Sequence, residues 1–244
     1  RTSLAHQPAE AAIGRCTHSE RGYNPLLPTA MKPPPPLTLA LPKGRLLAPI
    51  AARLAAVGVD PAALDPKDRR LLRDRPWHGS DAGLRVLLLK PDDVPTYVEH
   101  GAADVGVVGR DVLLERGADL SVVVETGLGR CRMMVAMPAD FTGVAPGHTL
   151  RVASKYPRIA AAHYAARHED VEVIFVQGSV ETAPLAGLSD VIVDLVETGE
   201  TLRQNGLVAR ETVCEVSAVL VANRARRKLR RDEVAALGEA LSLR

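Results

Sequence analysis

The residues best suited to chemistry lie between Val191 and Leu202, in the sequence VIVDLVETGETL. The apolar run predicts a buried strand, and the T-G-x-T turn after it predicts the start of a helix. Backbone N–H groups of such a turn, the Thr198 and Thr201 hydroxyls and the helix N-terminus can together bind a phosphate group. Taken alone, T-G-x-T is also compatible with an ordinary turn in which threonine caps the helix. Asp194 would lie beside the phosphate-bearing molecule, where its carboxylate can accept hydrogen bonds from ribose hydroxyls.

Two basic residues follow the first predicted strand of the chain. Lys43 and Arg45 flank Gly44 in the segment LPKGR. Arginine offers a bidentate fork to phosphate oxygens and lysine a mobile point charge, so both suit a polyphosphate. A solvated loop is the alternative interpretation.

These residues must be positioned by short apolar runs that alternate with helical stretches, a pattern typical of an α/β protein. Strands are predicted at 37–41, 85–89, 104–108, 120–124, 132–137, 150–153, 171–176, 191–195 and 213–221. Helices are predicted at 46–57, 91–100, 111–116 and 158–167, with another after Asn223. The segment 60–83 predicts a loop with one irregular strand or turn around Leu71 and Leu72.

Composition limits the class of protein. Hydrophobic residues make up 46% of the 244 residues and charged residues 25%, as in folded globular proteins. The net charge of +2 is too balanced for a surface built to bind nucleic acid. Every apolar run falls far short of the roughly 18 residues that span a bilayer. We therefore expect neither a nucleic-acid partner nor a membrane partner.

Other residue types add further expectations. Cys16, Cys131 and Cys214 lack a C-x-x-C spacing, which favours a reducing, cytoplasmic compartment over disulfides or a zinc site. Cys131 is interpreted as a small core residue rather than a nucleophile. The proline-rich residues 1–36 predict a disordered leader. The basic run at 224–231 is compatible with nucleic-acid binding, but its helical spacing favours a solvated helix face.

A longer pattern begins at Glu181 and continues through the turn as E-x5-G-x-S-x2-I-x-D-L-x2-T-G-x-T-L. It resembles the signature of the ATP phosphoribosyltransferase family, which catalyses the first step of histidine biosynthesis. Further matching segments follow in the family's order: LPKGR at 41–45, ADVGVVGRD at 103–111, GRCR at 129–132, ASKYP at 153–157 and QGSVE at 177–181.

The resemblance implies a reaction and a set of site residues. An adenine nitrogen of ATP would attack the anomeric carbon of phosphoribosyl pyrophosphate, with Mg²⁺ required and pyrophosphate released; the residues do not indicate metal ligands. Asp194, Lys43 and Arg45 would be catalytic. The residues implied for phosphoribosyl pyrophosphate are Asp194, Thr198, Gly199, Glu200, Thr201 and Leu202, with the Glu200 backbone rather than its carboxylate toward the phosphate. Those implied for ATP are Lys43, Gly44, Arg45, Arg69, Asp104 and Glu181, with Arg70 an equal alternative to Arg69.

The resemblance also implies an architecture and a partner. The family has two α/β domains arranged like a periplasmic binding protein, with the active site in the interdomain cleft. Here the first would comprise 37–130 and 224–244, and the second 131–223. Because the sequence ends at Arg244, it is similar to the short form, which forms a hetero-oligomer with a regulatory subunit related to histidyl-tRNA synthetase. A non-catalytic anion- or nucleotide-binding module with the same architecture is the rival hypothesis.

Overall fold

A computed structural model describes residues 34–65 and 70–242, with the backbone alone at 62 and 63. Residues 1–33 of the predicted leader lie outside this part of the chain. The described strands are β1 (Leu37–Pro42), β2 (Leu72–Arg75), β3 (Leu84–Leu89), β4 (Val105–Gly109), β5 (Ser121–Glu125), β6 (Cys131–Pro138), β7 (Leu150–Ser154), β8 (Val171–Phe175), β9 (Val191–Val196), β10 (Leu207–Val216) and β11 (Ala218–Ala222). The described α-helices are α1 (Leu47–Ala55), α2 (Val94–Glu99), α3 (Arg110–Arg116), α4 (Pro157–Ala165), α5 (Thr182–Leu185), α6 (Glu200–Gln204), α7 (Arg224–Leu229) and α8 (Arg231–Leu241).

The first sheet has six strands in the order β2-β3-β1-β4-β11-β5. Strands β3, β1 and β4 run parallel, whereas β2, β11 and β5 pair antiparallel with their neighbours. Helices α1 and α8 cover one face, and α2 and α3 cover the other. The α1 helix forms because Leu47, Ile50, Ala51 and Leu54 recur at helical spacing and bury one stripe against the sheet.

The second sheet has five strands in the order β10-β6-β9-β7-β8. Strands β9, β7 and β8 run parallel, and β6 and β10 pair antiparallel. Side chains of β9 alternate between its faces: Val191 and Val193 pack with α4, whereas Ile192 packs with α5 and α6. This alternation places Asp194 on the face that carries α6.

The chain crosses between the sheets twice. It passes from β5 to β6 through residues 126–130, and from β10 to β11 through Ser217. The two crossings are bonded together, because Ala218 N–H donates to the Leu128 carbonyl at 2.9 Å and the fully buried Thr126 hydroxyl donates to the Ala218 carbonyl at 2.7 Å. The result is a fixed junction between the sheets.

The α/β prediction is confirmed, because the structure has two sheets with helices packed on their faces. The structure differs at the strand predicted at 213–221, which is divided by Ser217 into the end of β10 and all of β11. The domain boundaries expected from the family resemblance put β11 in the second domain. In the structure it lies inside the first sheet, between β4 and β5. Its five residues are all buried, as in a central strand, whereas β10 alternates as an edge strand does.

Every helix among the described residues is too short or too polar to cross a membrane.

Candidate active site

The parallel strands of both sheets end at one cleft. Strands β1, β3 and β4 end there from the first sheet, and β7 and β9 from the second. Carboxyl ends of parallel strands present loops and helix starts, the positions where α/β proteins bind ligands. The cleft at this point encloses a cavity of about 280 Å³ lined by residues of both sheets.

Lys43 and Arg45 lie on the first-sheet wall of the cleft. Both line the cavity, together with Asp92 after β3 and Asp111 in the first turn of α3. Gly44, between the two basic residues, has a φ of 101°, a conformation that L side chains rarely adopt. The loop therefore turns sharply at Gly44, immediately before Arg45.

The T-G-x-T turn forms the second-sheet wall. Residues from Asp194 to Leu202 line an adjoining pocket, which also includes Arg45, Cys131 and Glu181. Gly199 caps α6 in the left-handed conformation with a φ of 78°. Leu202 is buried and anchors the short helix in the sheet's core. The turn leads directly from a buried strand into α6, and the Glu200 N–H contacts the Thr198 hydroxyl at 3.4 Å within it.

The Glu200 side chain is exposed and bonded to other residues of α6. Its carboxylate accepts hydrogen bonds from Arg203 at 2.7 Å and from Gln204 at 2.7 Å, both on the same helix. The Arg203 hydrogen bond holds the pKa of the exposed Glu200 carboxyl below its usual value. The carboxylate is thus engaged by its own helix.

Asp194 and Glu181 form an acidic pair in the pocket that the T-G-x-T turn lines. Burial raises the pKa of the Asp194 carboxyl, the Leu195 N–H at 2.8 Å opposes that rise, and the negative charge of Glu181 reinforces it. Glu181, which the family resemblance assigns to ATP, lines the same pocket as Asp194. It precedes α5 without a side-chain capping bond, so capping does not account for its position.

Three polar contacts join the two walls. Arg45 contacts Glu197 at 2.7 Å, Lys155 contacts Asp92 at 3.6 Å, and the buried Tyr156 hydroxyl donates to Asp111 at 2.9 Å. Burial, followed by the negative charge of Asp111, raises the pKa of the Tyr156 hydroxyl. Tyr156 is therefore a neutral donor.

Cys131 lies where the two pockets meet. It is a free, buried thiol whose pKa is raised by burial, although nearby Arg45 opposes that rise. A raised pKa disfavours the reactive thiolate. Its position fits the packing role predicted for it.

Asp104 is not brought to the cleft, contrary to the expectation that it binds ATP. It precedes β4 and thus lies at the amino end of the strand, opposite the ligand-binding edge. Its buried carboxylate accepts the Thr38 N–H at 2.8 Å and contacts Arg226 at 3.2 Å and Arg230 at 3.4 Å. These contacts explain why an acidic residue is buried there, and they are structural. Arg69 lies outside the described residues.

No role in the site was expected from the sequence for Asp92, Asp111, Lys155, Tyr156 or Glu197. A signal existed for Lys155, which lies two residues after the strand predicted at 150–153, within the segment ASKYP. Asp92 and Asp111 each follow a strand end in the same way. Such a position indicates the ligand-binding edge, but it does not indicate which residues meet across two sheets.

The fold and the cleft define the class of protein. They describe a two-sheet α/β protein with a T-G-x-T turn in a cleft, in the architecture of periplasmic-binding-protein-like folds. The crystal structure of the Bordetella pertussis BvgS VFT2 domain is similar in fold, with a TM-score of 0.52 at 14% identity over 84% of this chain and 86% of that chain.

The chain belongs to the ATP phosphoribosyltransferase family. The family model described as HisG, ATP phosphoribosyltransferase, matches residues 90–242. An ATP phosphoribosyltransferase of Sorangium cellulosum is 53% identical over 206 residues, which are 84% of this chain and 94% of that protein. One from Anaeromyxobacter sp. (strain K) is 48% identical over 84% of this chain and 91% of its own length. The ATP phosphoribosyl transferase (HisG:HisZ) complex of Thermotoga maritima contains a chain with a TM-score of 0.70 and 34% identity, over 84% of this chain and 95% of that one.

Proposed function

We propose that this chain catalyses the first step of histidine biosynthesis, in which ATP and phosphoribosyl pyrophosphate give N-phosphoribosyl-ATP and pyrophosphate. The observation that carries the proposal is that Arg45 of the first sheet lines the same pocket as the T-G-x-T turn of the second, with Lys43 in the adjoining cavity. Family membership gives the reaction, and the geometry supports the way these residues perform it.

In this reaction a bond forms between an adenine nitrogen and the anomeric carbon, while the bond from that carbon to pyrophosphate breaks. The turn from Thr198 to Leu202 binds the 5-phosphate through backbone N–H groups and hydroxyls. Asp194 accepts hydrogen bonds from the ribose hydroxyls, and Glu181, in the same pocket, is the second carboxylate for the sugar. Positive charge that develops on the sugar in the transition state is stabilised by this acidic pair.

The opposite wall takes the leaving group. Lys43 and Arg45 lie at the end of β1, and Lys155 reaches the same cavity from the second sheet. Three cations converging on one cavity suit the oxygens of pyrophosphate and of the ATP phosphates. Positioning and electrostatics thus supply the catalysis, without a covalent intermediate.

Magnesium is part of this proposal. Among the described residues, His, Cys, Asp and Glu form no group of three that could hold a metal ion. Mg²⁺ does not require such a group, because proteins usually bind it through one or two carboxylates together with substrate phosphates. Asp194 and Glu181 are the carboxylates suited to it, and the ion would neutralise charge on the departing pyrophosphate.

The rival function is a non-catalytic module that binds an anion or a nucleotide in the same cleft. A pyrophosphate-release assay with ATP and phosphoribosyl pyrophosphate, run with and without Mg²⁺ and with the regulatory subunit present, separates the two. We expect release that requires both substrates and the metal. Ligand binding without any release would support the rival.

The proposal includes a partner. The Thermotoga maritima structure is a HisG:HisZ complex, and this chain covers 95% of the matched chain in it. We infer a hetero-oligomer with a regulatory subunit related to histidyl-tRNA synthetase. Feedback inhibition needs an effector site distinct from the substrate site, and we assign the histidine site to that subunit. Histidine titrated against the isolated chain should not inhibit it, whereas it should inhibit the mixture. Strong inhibition of the isolated chain, or failure to associate by light scattering, would contradict this arrangement.

We also propose a cellular compartment and a division into domains. A cytoplasmic setting is supported by Cys131 and Cys214, which are free thiols. The division into domains at 37–130 with 224–244, and at 131–223, is proposed with β11 moved to the first.

A further inference from the structure

The ion pair between Arg45 and Glu197 crosses the cleft directly in front of the phosphate-binding turn. Arg45 follows β1 of the first sheet, and Glu197 stands between β9 and Thr198 of the second. The guanidinium Nη1 and the carboxylate Oε2 are 2.7 Å apart. The pair therefore places the cation of one wall against the binding turn of the other.

The pocket that the T-G-x-T turn lines is rich in negative charge. The described residues that line it include four carboxylates, Glu181, Asp194, Glu197 and Glu200, but Arg45 is the one basic side chain among them. Glu200 is engaged by Arg203, and Asp194 by the Leu195 N–H. Glu197 is thus the carboxylate that competes with an incoming phosphate for Arg45.

We propose that Glu197 is a positioning residue that holds Arg45 beside the binding turn in the empty cleft and exchanges it with phosphate oxygens of the ligand. The inference rests on the proposed function. Guanidinium binds carboxylate and phosphate with the same forked geometry, so one partner can replace the other. The two side chains are 59% and 61% exposed, and pairs that exposed are weak, so the exchange is easily reversed.

The exchange has a kinetic consequence. While pyrophosphate is bound, Arg45 is held by phosphate oxygens; when pyrophosphate leaves, Glu197 recaptures the guanidinium. Glu197 therefore lowers the affinity of the cleft for pyrophosphate and assists its release. Removing the carboxylate should tighten binding of pyrophosphate-bearing ligands rather than weaken it, the opposite of what loss of a binding residue causes.

The test compares Glu197→Gln with the wild-type chain, in calorimetry with inorganic pyrophosphate and Mg²⁺ and in steady-state kinetics. We expect about two- to fivefold tighter pyrophosphate binding, the range of an exposed ion pair, with a KM for phosphoribosyl pyrophosphate lowered similarly and kcat not raised. Glu197→Asp, which keeps a carboxylate, should shift less. Asp74→Asn is the matched control, because Asp74 forms an exposed 2.7 Å pair with Arg85 at the edge of the first sheet.

The Arg45→Ala background decides the mechanism. There Glu197→Gln should no longer tighten pyrophosphate binding, because the guanidinium for which the carboxylate competes is gone. Equal tightening in both backgrounds would mean simple charge repulsion and would overturn the proposal, as would unchanged or weaker binding in Glu197→Gln alone. Calorimetry needs no turnover, so the expected binding pattern without pyrophosphate release would refute the proposed function and leave the role of Glu197 standing.

Discussion

Tyr156, which follows β7 of the second sheet, donates a buried hydrogen bond to Asp111, in the first turn of α3 on the first sheet, with 2.9 Å between Oη and Oδ2. Both side chains are almost fully buried, at 5% and 7% exposure. Buried contacts of this kind tie the two walls together more firmly than the exposed Arg45–Glu197 pair does.

Tyr156→Phe should destabilise the folded chain. The change removes one hydroxyl and leaves the Asp111 carboxylate buried without that donor, at a cost of about 1 to 3 kcal/mol. Urea unfolding monitored by circular dichroism measures the loss. Tyr97→Phe is the control, since Tyr97 is 40% exposed on α2 and its loss should be small. Equal stability of both variants would show that the Tyr156 bond contributes nothing.

Thr201→Ala should weaken binding of phosphoribosyl pyrophosphate. A hydrogen bond to a charged phosphate contributes about 1.5 to 3 kcal/mol, which corresponds to roughly 10- to 150-fold in affinity. Calorimetry with phosphoribosyl pyrophosphate and Mg²⁺ measures it. Thr149→Ala is the control. Thr149 is exposed and precedes β7, at the end of that strand remote from the cleft, so this variant should bind normally. Unchanged affinity of Thr201→Ala would reject the role of this hydroxyl.

Asp194→Asn should impair phosphoribosyl pyrophosphate while leaving ATP binding largely intact. Because burial raises the pKa of Asp194, kcat/KM for that substrate should fall on the acid side at a pH above the usual aspartate range. Glu181→Gln should shift this acid limb to lower pH, since one negative charge beside Asp194 is removed. A pH–rate profile measures both effects. If Glu181→Gln moved the acid limb to higher pH, the limb could not be assigned to the Asp194 carboxyl.

The buried Asp194 carboxylate should lower the stability of the folded chain at neutral pH. The pKa of Asp194 is higher in the folded state than in the unfolded one, so its ionised form costs stability at neutral pH, and the cost vanishes at a pH below both values. Asp194→Asn should therefore raise the Tm at neutral pH, with a gain that fades as the pH falls. Thermal scans at several pH values follow it, with Asp140→Asn, in an exposed turn after β6, as the control. A gain that grows toward acid pH would have the wrong sign.

Asp104→Ala should cost stability without changing the apparent affinity for ATP. The variant leaves the Thr38 N–H without its acceptor and Arg226 without its carboxylate, whereas Arg230 keeps Glu233, so we expect a cost of about 1 to 3 kcal/mol. The Tm and the KM for ATP are measured on the same preparation. A raised KM with an unchanged Tm would return Asp104 to the binding site.

The sequence was most informative where chemistry is local. The turn at Thr198–Thr201 could be predicted because a strand, small residues and a helix start are contiguous, and the family is recognisable from ordered segments. Asp104 was expected at the site from its motif alone, although the strand predicted at 104–108 already puts it at the amino end, away from the ligand-binding edge. The partners of Asp111 and Glu197 could not be predicted, since Tyr156 and Arg45 are 45 and 152 residues away in the chain.

The two bonded crossings, at 126–130 and at Ser217, restrict how the sheets can move relative to each other. Two bodies joined at two adjacent points can rotate about the line through those points, but they can neither slide along each other nor separate. Rotation about that line is then the motion that changes the distance from Lys43 to the T-G-x-T turn. We expect a substrate that contacts both walls to favour one angle and thereby to prepare the cleft for the second substrate.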